Sequence, residues 1–172
     1  REVQVYRQPN PGDNVREAGE DIAPGAEVAS AGQPLTPARL GLLASVGVVD
    51  APVHRRPVVS ILSTGNEVMP PGGTLSSGKI RDSNAYVLAA MAQAWGAEAR
   101  LHGIARDTVE HLTAHLREAR EADLIVTSGG VSLGDFDFVK DVLRAEGEVN
   151  IWQVRMKPGK PLAFGVLGGT PL

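Results

Sequence analysis

The stretch Ala122-Asp123-Leu124-Ile125-Val126-Thr127-Ser128-Gly129-Gly130-Val131-Ser132-Leu133-Gly134-Asp135-Phe136-Asp137 decides how this chain is read. Its opening residues form an apolar run that predicts a buried strand. Phe138-Val139-Lys140-Asp141-Val142-Leu143, which follows, has helical spacing, so the glycines fall at a strand-to-helix turn. Glycine lets the main chain approach a phosphate closely, and the helix N-terminus beyond adds a positive dipole end. Asp135 and Asp137 oppose such a site unless a hard cation lies between carboxylate and phosphate. Mg²⁺ suits that position, taking one or two carboxylates together with substrate oxygens. An ordinary βα loop with a capping aspartate explains the same residues, and the loop alone does not separate the two readings.

The alternation of strand and helix extends outward from this point. Pro57 to Ser63 reads as a strand, Ser83 to Trp95 as a helix ended by Gly96, and Ala97 to Ile104 as a second strand. Asp107 reads as the cap of a further helix running to about Glu121, with Glu110 three residues on. After the strand at 123 to 127 comes a helix ended by Gly147, and Val149 to Met156 and Leu162 to Leu167 read as two closing strands. Strands separated by helices of this length predict an α/β fold with a mainly parallel sheet covered on both faces. Upstream, residues 1 to 52 have a different grammar, rich in Gly, Pro and charge. They predict part of a small β-rich domain, with β-like pieces such as Glu2-Val3-Gln4-Val5-Tyr6 and turns at Pro11-Gly12 and Pro24-Gly25. Thr36 and Pro37 start one short helix there, which Gly47 ends. The α/β domain is taken as 53 to 172.

In an open parallel sheet, ligands sit beyond the carboxyl ends of the strands, so the βα loops form one set. The first is Ser63-Thr64-Gly65-Asn66-Glu67. The next helix opens at Arg81-Asp82-Ser83-Asn84, where Asp82 or Ser83 taken alone reads as a cap. The closing strands are joined by Met156-Lys157-Pro158-Gly159-Lys160-Pro161, which holds two lysines on a turn stiffened by two prolines. A bare lysine pair is usually solvated. Held rigidly, the two ammonium groups converge on a tetrahedral oxyanion or a phosphate. Acidic, hydroxylated and basic loops together point to a metal-assisted site for an anionic, phosphate-bearing ligand.

Composition narrows the setting. The 172 residues with 42% hydrophobic content suffice for one substantial core, and a net charge of -3 without a basic stripe argues against a polynucleotide partner. No apolar run is long enough to span a bilayer and no signal-peptide pattern opens the sequence, so a cytoplasmic protein that does not engage a membrane is expected. With no cysteine, disulfides and thiolate metal sites are excluded; His111 and His115 lack the acidic companion of a zinc-protease helix and read as a solvated helix face. The sequence begins with Arg and its last strand-like run stops at Thr170-Pro171-Leu172, so both ends look cut from a longer chain.

Taken in order and spacing, the four loop motifs resemble those of the MoeA and gephyrin E-domain family, the molybdopterin molybdenumtransferases. The resemblance extends upstream through Asn14-Val15-Arg16-Glu17-Ala18-Gly19-Glu20-Asp21-Ile22 and Leu35-Thr36-Pro37. It implies a three-layer, MogA-like molybdopterin-binding domain, truncated here before a C-terminal β domain. It also implies insertion of molybdate into adenylylated molybdopterin, with Mg²⁺ or a similar divalent cation and release of AMP. Carried over by motif, Asp82 and Asp137 would be catalytic and hold the cation. Thr64, Gly65, Glu67, Ser83, Asn84, Ser128, Gly129, Gly130, Ser132 and Gly134 fall in the substrate-binding motifs. Lys157, Lys160 and Pro161 would form the molybdate pocket, the two lysines counted with the catalytic groups. The resemblance further implies a homodimeric parent, a molybdopterin adenylyltransferase as pathway partner, and a weak or inactive isolated fragment. Arg39 stands where many members carry an acid. Two other readings compete: an adenylyltransferase-like nucleotide-binding domain, opposed by the upstream segment and the Lys157 to Pro161 turn, and a gephyrin-like scaffold module.

Overall fold

The structure is a computed structural model that describes residues 2–130, 138–157 and 161–172. It divides into two compact units, Arg1–Val53 and His54–Leu172.

In the first unit the one regular element among the described residues is helix α1, Pro37–Ser45. Thr36 caps it, its hydroxyl accepting from the Arg39 N–H at 3.3 Å, and Gly47 at φ 83° ends it as expected. The Pro24-Gly25 turn forms with Gly25 at φ 82° and the Ala26 N–H donating to Ala23 O at 3.0 Å. Glu2 to Tyr6, expected as a β-like piece, lies in no strand. The alternation of that segment is real, but no neighbouring described segment offers it a hydrogen-bonding ladder, and an extended chain without a partner is not a strand.

The second unit carries β1 (Val58–Thr64), β2 (Val68–Met69), β3 (Ile80–Arg81), α2 (Asn84–Ala94), β4 (Glu98–Ala105), α3 (Val109–Ala119), β5 (Leu124–Ser128), α4 (Phe138–Glu146), β6 (Gly147–Gln153), β7 (Pro161–Leu167) and β8 (Thr170–Pro171). The central sheet is parallel, in the order β4-β1-β5, with β1 in the middle. Because β1 is covered on both faces it reads as a nearly continuous buried run rather than an alternation. Val59 and Ile61 pack with Ala85 and Ala92 of α2 on one face. Leu62 and Ile125 pack on the other with Leu112 and Leu116 of α3 and Val139, Val142 and Leu143 of α4. This helix-sheet-helix arrangement is the three-layer α/β fold.

The closing strands do not extend that parallel sheet. β6, β7 and β8 form a separate antiparallel sheet, and β6 begins at Gly147, two residues earlier than the pattern suggested, and stops at Gln153 rather than Met156. Gly147 is the reason: a Cβ there would sit 2.3 Å from Val166 O, so only glycine allows the main chain to join the ladder directly after α4. The cap of α3 also differs. Thr108, not Asp107, accepts the His111 N–H, at 3.2 Å. Asp107 instead reaches across to the first βα loop and accepts the Asn66 N–H at 2.9 Å. A sequence window presents two adjacent cap formers as equals; the backbone direction at the strand exit selects the one whose oxygen faces the helix.

Candidate functional site

Parallel pairing puts the carboxyl ends of β1, β4 and β5 on one edge: Ser63 lies opposite Ser128, and Thr64 opposite Ala105. The loops that leave these strands are fastened to one another. Asn66 and Asp107 exchange hydrogen bonds, from Asn66 N–H to Asp107 Oδ2 and from Asp107 N–H to Asn66 Oδ1 at 3.4 Å, and Asn84 Nδ2 donates to Ser128 Oγ at 2.9 Å. A polar cleft of about 170 Å³ opens between them, and Thr64, Glu67, Asp82, Ser83, Asn84, Ser128 and Gly129 all line it. Seven residues from three separate motifs therefore converge.

The chemistry of this cleft is set by oxygen atoms. Asp82 is 8% exposed, and its Oδ1 accepts the Ala85 N–H at 3.1 Å. That bond satisfies the capping interpretation for one oxygen, and the residue lines the cleft. Ser83, at the formal cap position, makes no side-chain cap bond, so its hydroxyl stays with the cleft. Arg81 also lines it, but its guanidinium is held by Gly72 O at 2.6 Å and Gly73 O at 2.9 Å. Glu67 folds back over Gly65, where an added Cβ would meet both carboxylate oxygens at 2.8 Å. Two carboxylates, several hydroxyls and an amide make a donor set that suits a hard cation such as Mg²⁺ far better than a soft metal. Among the described residues no cluster of three or more His, Cys, Asp or Glu forms a ready-made metal cage. The fit is to a cation that shares its shell with a substrate.

Ser63, Val68, Ile80 and Arg81 line the cleft without having been named as site residues from the sequence, and of these Ser63 stands out. Ser63 Oγ is buried and has no hydrogen-bond partner among the described residues, and the same is true of Thr64 Oγ1. A buried hydroxyl normally finds a partner, since leaving one unmade costs about 1–3 kcal/mol. Both residues lie at the exit of β1 and line the cleft. The signal was present in the small, hydroxylated Ser63-Thr64 pair, but alternation gave Ser63 no more weight than Ser60, whose hydroxyl is matched by His102 Nε2 at 2.8 Å.

Gly129 and Gly130 hold positive φ of 94° and 71°, and a Cβ on Gly129 would lie 2.8 Å from both Thr64 O and Thr64 Oγ1. These glycines let the β5 exit pass directly over Thr64. Gly130 does not line the polar cleft; its Cβ position is filled by Val139 Cγ2 at 2.6 Å. Gly65 faces a different cleft beside Asn66 and Lys79. Lys157 is exposed after β6 and lines none of the clefts formed by described residues around Asp82, and Pro161 opens β7. Ser132, Gly134, Asp135, Asp137 and Lys160 lie outside the described residues. His111 and His115 serve locally: His111 Nδ1 accepts the Arg106 N–H at 3.1 Å, and His115 Nδ1 lies 2.9 Å from His111 O.

Residues 60–170 match the family model described as a probable molybdopterin binding domain, and residues 1–47 match the MoeA N-terminal region, domains I and II. Among curated proteins, the chain is 41% identical to a molybdopterin molybdenumtransferase of Haemophilus influenzae, over 92% of this chain and 40% of that protein. It is also 38% identical to gephyrin of Dictyostelium discoideum, over 91% of this chain and 24% of that protein. A crystal structure of a molybdopterin biosynthesis MoeA protein from Pyrococcus horikoshii superposes with a TM-score of 0.79 at 36% identity, covering 89% of this chain and 38% of that one. The chain spans about two fifths of the length of the bacterial relatives it matches.

Proposed function

Since this chain belongs to the MoeA–gephyrin family of molybdopterin-binding proteins, we propose that its polar cleft binds the phosphoanhydride of adenylylated molybdopterin in a molybdenumtransferase reaction that inserts molybdate and releases AMP. One observation carries this reading: a buried carboxylate, Asp82, lines the same cleft as two buried hydroxyls without partners among the described residues, Ser63 and Thr64, at the carboxyl edge of a parallel sheet. The two hydroxyls donate to non-bridging phosphoryl oxygens, and the main chain at Gly129, kept free of a Cβ, allows those oxygens close approach. Asn84, through Ser128, fixes the spacing of the β5 exit from the start of α2.

In this reading Asp82, with Asp137, would hold a divalent cation, Mg²⁺ or similar, which would supply neutralisation of charge on the phosphoryl oxygens. Glu67 lines the same cleft. Lys157, Lys160 and Pro161 form the molybdate pocket in this reading, since an oxyanion calls for ammonium donors on a stiff turn. The adenylyltransferase-like alternative is disfavoured by the MoeA N-terminal match over 1–47 and by the names of the relatives, and the scaffold alternative gains no specific observation. The parent acts as a cytoplasmic homodimer supplied by a molybdopterin adenylyltransferase. In support, no helix among the described residues is long and apolar enough to cross a membrane, and α2 leaves Val87, Met91 and Trp95 exposed in one stripe.

The test is release of AMP from adenylylated molybdopterin by the full-length parent in the presence of molybdate and Mg²⁺. Asp82→Asn keeps the shape and the Ala85 bond but weakens the charge, and it is expected to slow release by on the order of a hundredfold. Wild-type rates from a folded Asp82→Asn protein would sink the assignment.

A further inference from the structure

A series of hydrogen bonds ties the loop from β4 to α3 to the first βα loop, and one histidine closes it. Ala105 O accepts the Gly65 N–H at 3.2 Å, and the Asn66–Asp107 exchange follows one step further along. Between these links lies Arg106, whose N–H donates to His111 Nδ1 at 3.1 Å. His111 also donates its own N–H to Thr108 Oγ1 at 3.2 Å, so it grips the turn at two points. Gly65 and Asn66 belong to the segment that carries Thr64 and Glu67 into the polar cleft. The placement of that wall therefore depends on a backbone N–H held by an imidazole nitrogen.

A backbone N–H only donates, so His111 Nδ1 offers a lone pair and the ring proton sits on Nε2. His115 has the opposite arrangement, because its Nδ1 lies 2.9 Å from His111 O and a carbonyl oxygen only accepts. The two rings are 4.5 Å apart with their planes inclined by 36°. Protonation leaves the His115 bond intact and destroys the one from Arg106, since an imidazolium has donors at both nitrogens and no acceptor. Other ionisable groups around α3 are engaged or turned to water. α3 packs on β1, β4 and α4, and β1 carries no titratable side chain. On β4, Glu98 pairs with Arg100, and His102 Nε2 meets Ser60 Oγ. Among the described side chains of α4, Glu146 is held by Arg117 and Arg120, while Asp141 and Arg144 are exposed. We propose that His111 is a proton-sensitive positioning residue for the cleft. Neutral, it holds the β4–α3 loop against the first βα loop; as an imidazolium it releases the Arg106 N–H and loosens the Asn66–Asp107 link. Imidazoles change charge between about pH 5 and 8, so the latch is closed at the upper end of that range and opens as the pH falls. Its consequence for a ligand rests on the phosphate-binding reading of the cleft, whereas the latch itself does not.

NMR spectra of wild type, His111→Asn and His111→Leu between about pH 7.5 and about pH 5.5 test the latch without any ligand. Asparagine places Oδ1 two bonds from Cβ, as imidazole places Nδ1, and so keeps an acceptor that does not titrate. His111 lies outside the buried row Leu112, Leu116 and Ala119, so both substitutions spare the core. In wild type the Arg106 and Asn66 amide resonances are expected to shift with the midpoint of the His111 ring nitrogens. In His111→Asn they should stay fixed, and in His111→Leu they should sit at the released position throughout. Calorimetric titration with pyrophosphate and Mg²⁺ reads the cleft. From the upper to the lower pH, wild-type affinity should fall about threefold to tenfold relative to His111→Asn, a ratio that cancels the ionisation of pyrophosphate itself, and His111→Leu should be weaker at both. Amide shifts that are the same in wild type and His111→Asn overturn the proposal. Amides that follow His111 while the affinity ratio stays constant overturn the positioning role, because the loop then moves without effect on the cleft. A wild type that binds no pyrophosphate at the upper pH overturns the phosphate-binding reading, and the amide titration then decides the latch by itself.

Discussion

Replacing Ser63 with alanine should make the ligand-free protein more stable and the ligand-bound protein weaker. Ser63 is 2% exposed, and its hydroxyl has no hydrogen-bond partner among the described residues. The folded state therefore carries the cost of removing that hydroxyl from water, about 1–3 kcal/mol for an unsatisfied buried group, offset in part by van der Waals contacts of the oxygen. Alanine removes the cost with the loss of one atom, so a net gain of about 1 kcal/mol is expected, or a rise in Tm of roughly 2–4 °C for a chain of this size. The bound state reverses the sign. A hydroxyl donating to a charged phosphoryl oxygen contributes about 1.5–3 kcal/mol, so pyrophosphate affinity should fall roughly ten- to hundredfold. Scanning calorimetry without ligand and titration with pyrophosphate and Mg²⁺ read the two halves separately. A Ser63→Ala protein that melts lower and binds pyrophosphate as the wild type does would refute the reasoning, because the hydroxyl would then be a structural group whose partner had been lost.

Two further outcomes concern the scaffold. Leu116 of α3 is fully buried against the sheet, and Leu116→Ala should cost about 2–5 kcal/mol in urea unfolding; a loss below 1 kcal/mol would mean that the α3 face is not the packed layer described. At the other edge of the sheet, the Arg55 guanidinium and the Val58 N–H hold the Asp123 carboxyl at about 2, below its ordinary value of 3.8. The folded state prefers this group ionised. Its contribution is thus complete above about pH 4 and disappears as the pH falls toward 2. Urea midpoints of wild type and Asp123→Asn should differ at pH 6 and converge near pH 2; a gap independent of pH would remove the carboxylate from the explanation.

Much of the site was legible because its residues come in short, ordered loops. Thr64, Glu67, Asp82, Ser83, Asn84, Ser128 and Gly129 lie in loop motifs whose family resemblance marked them, and pairing of β1 with β5 brings those loops to one cleft. The sequence alone determined the α/β alternation, the helix boundaries at Thr36, Gly47 and Gly96, and the small residues at the strand exits. These follow from local causes: apolar period, capping oxygens and glycine's freedom at positive φ.

What the tertiary structure decided depends on contacts distant in sequence. Whether Ser60 or Ser63 is satisfied turns on what lies across the sheet: His102 meets the first, and no described residue meets the second. Asp107 bonds Asn66 rather than its own helix because two loops 41 residues apart leave the same edge. The closing strands pair with each other rather than with β5 because Gly147 lets the chain turn straight into an antiparallel ladder. Tyr86 looks like an ordinary helix residue until the packing of α2 against β4 leaves its ring over an open cleft beside Asp82. A one-dimensional pattern records each residue's own preference, whereas partnership and free volume are properties of pairs and surfaces that exist only once the chain has folded.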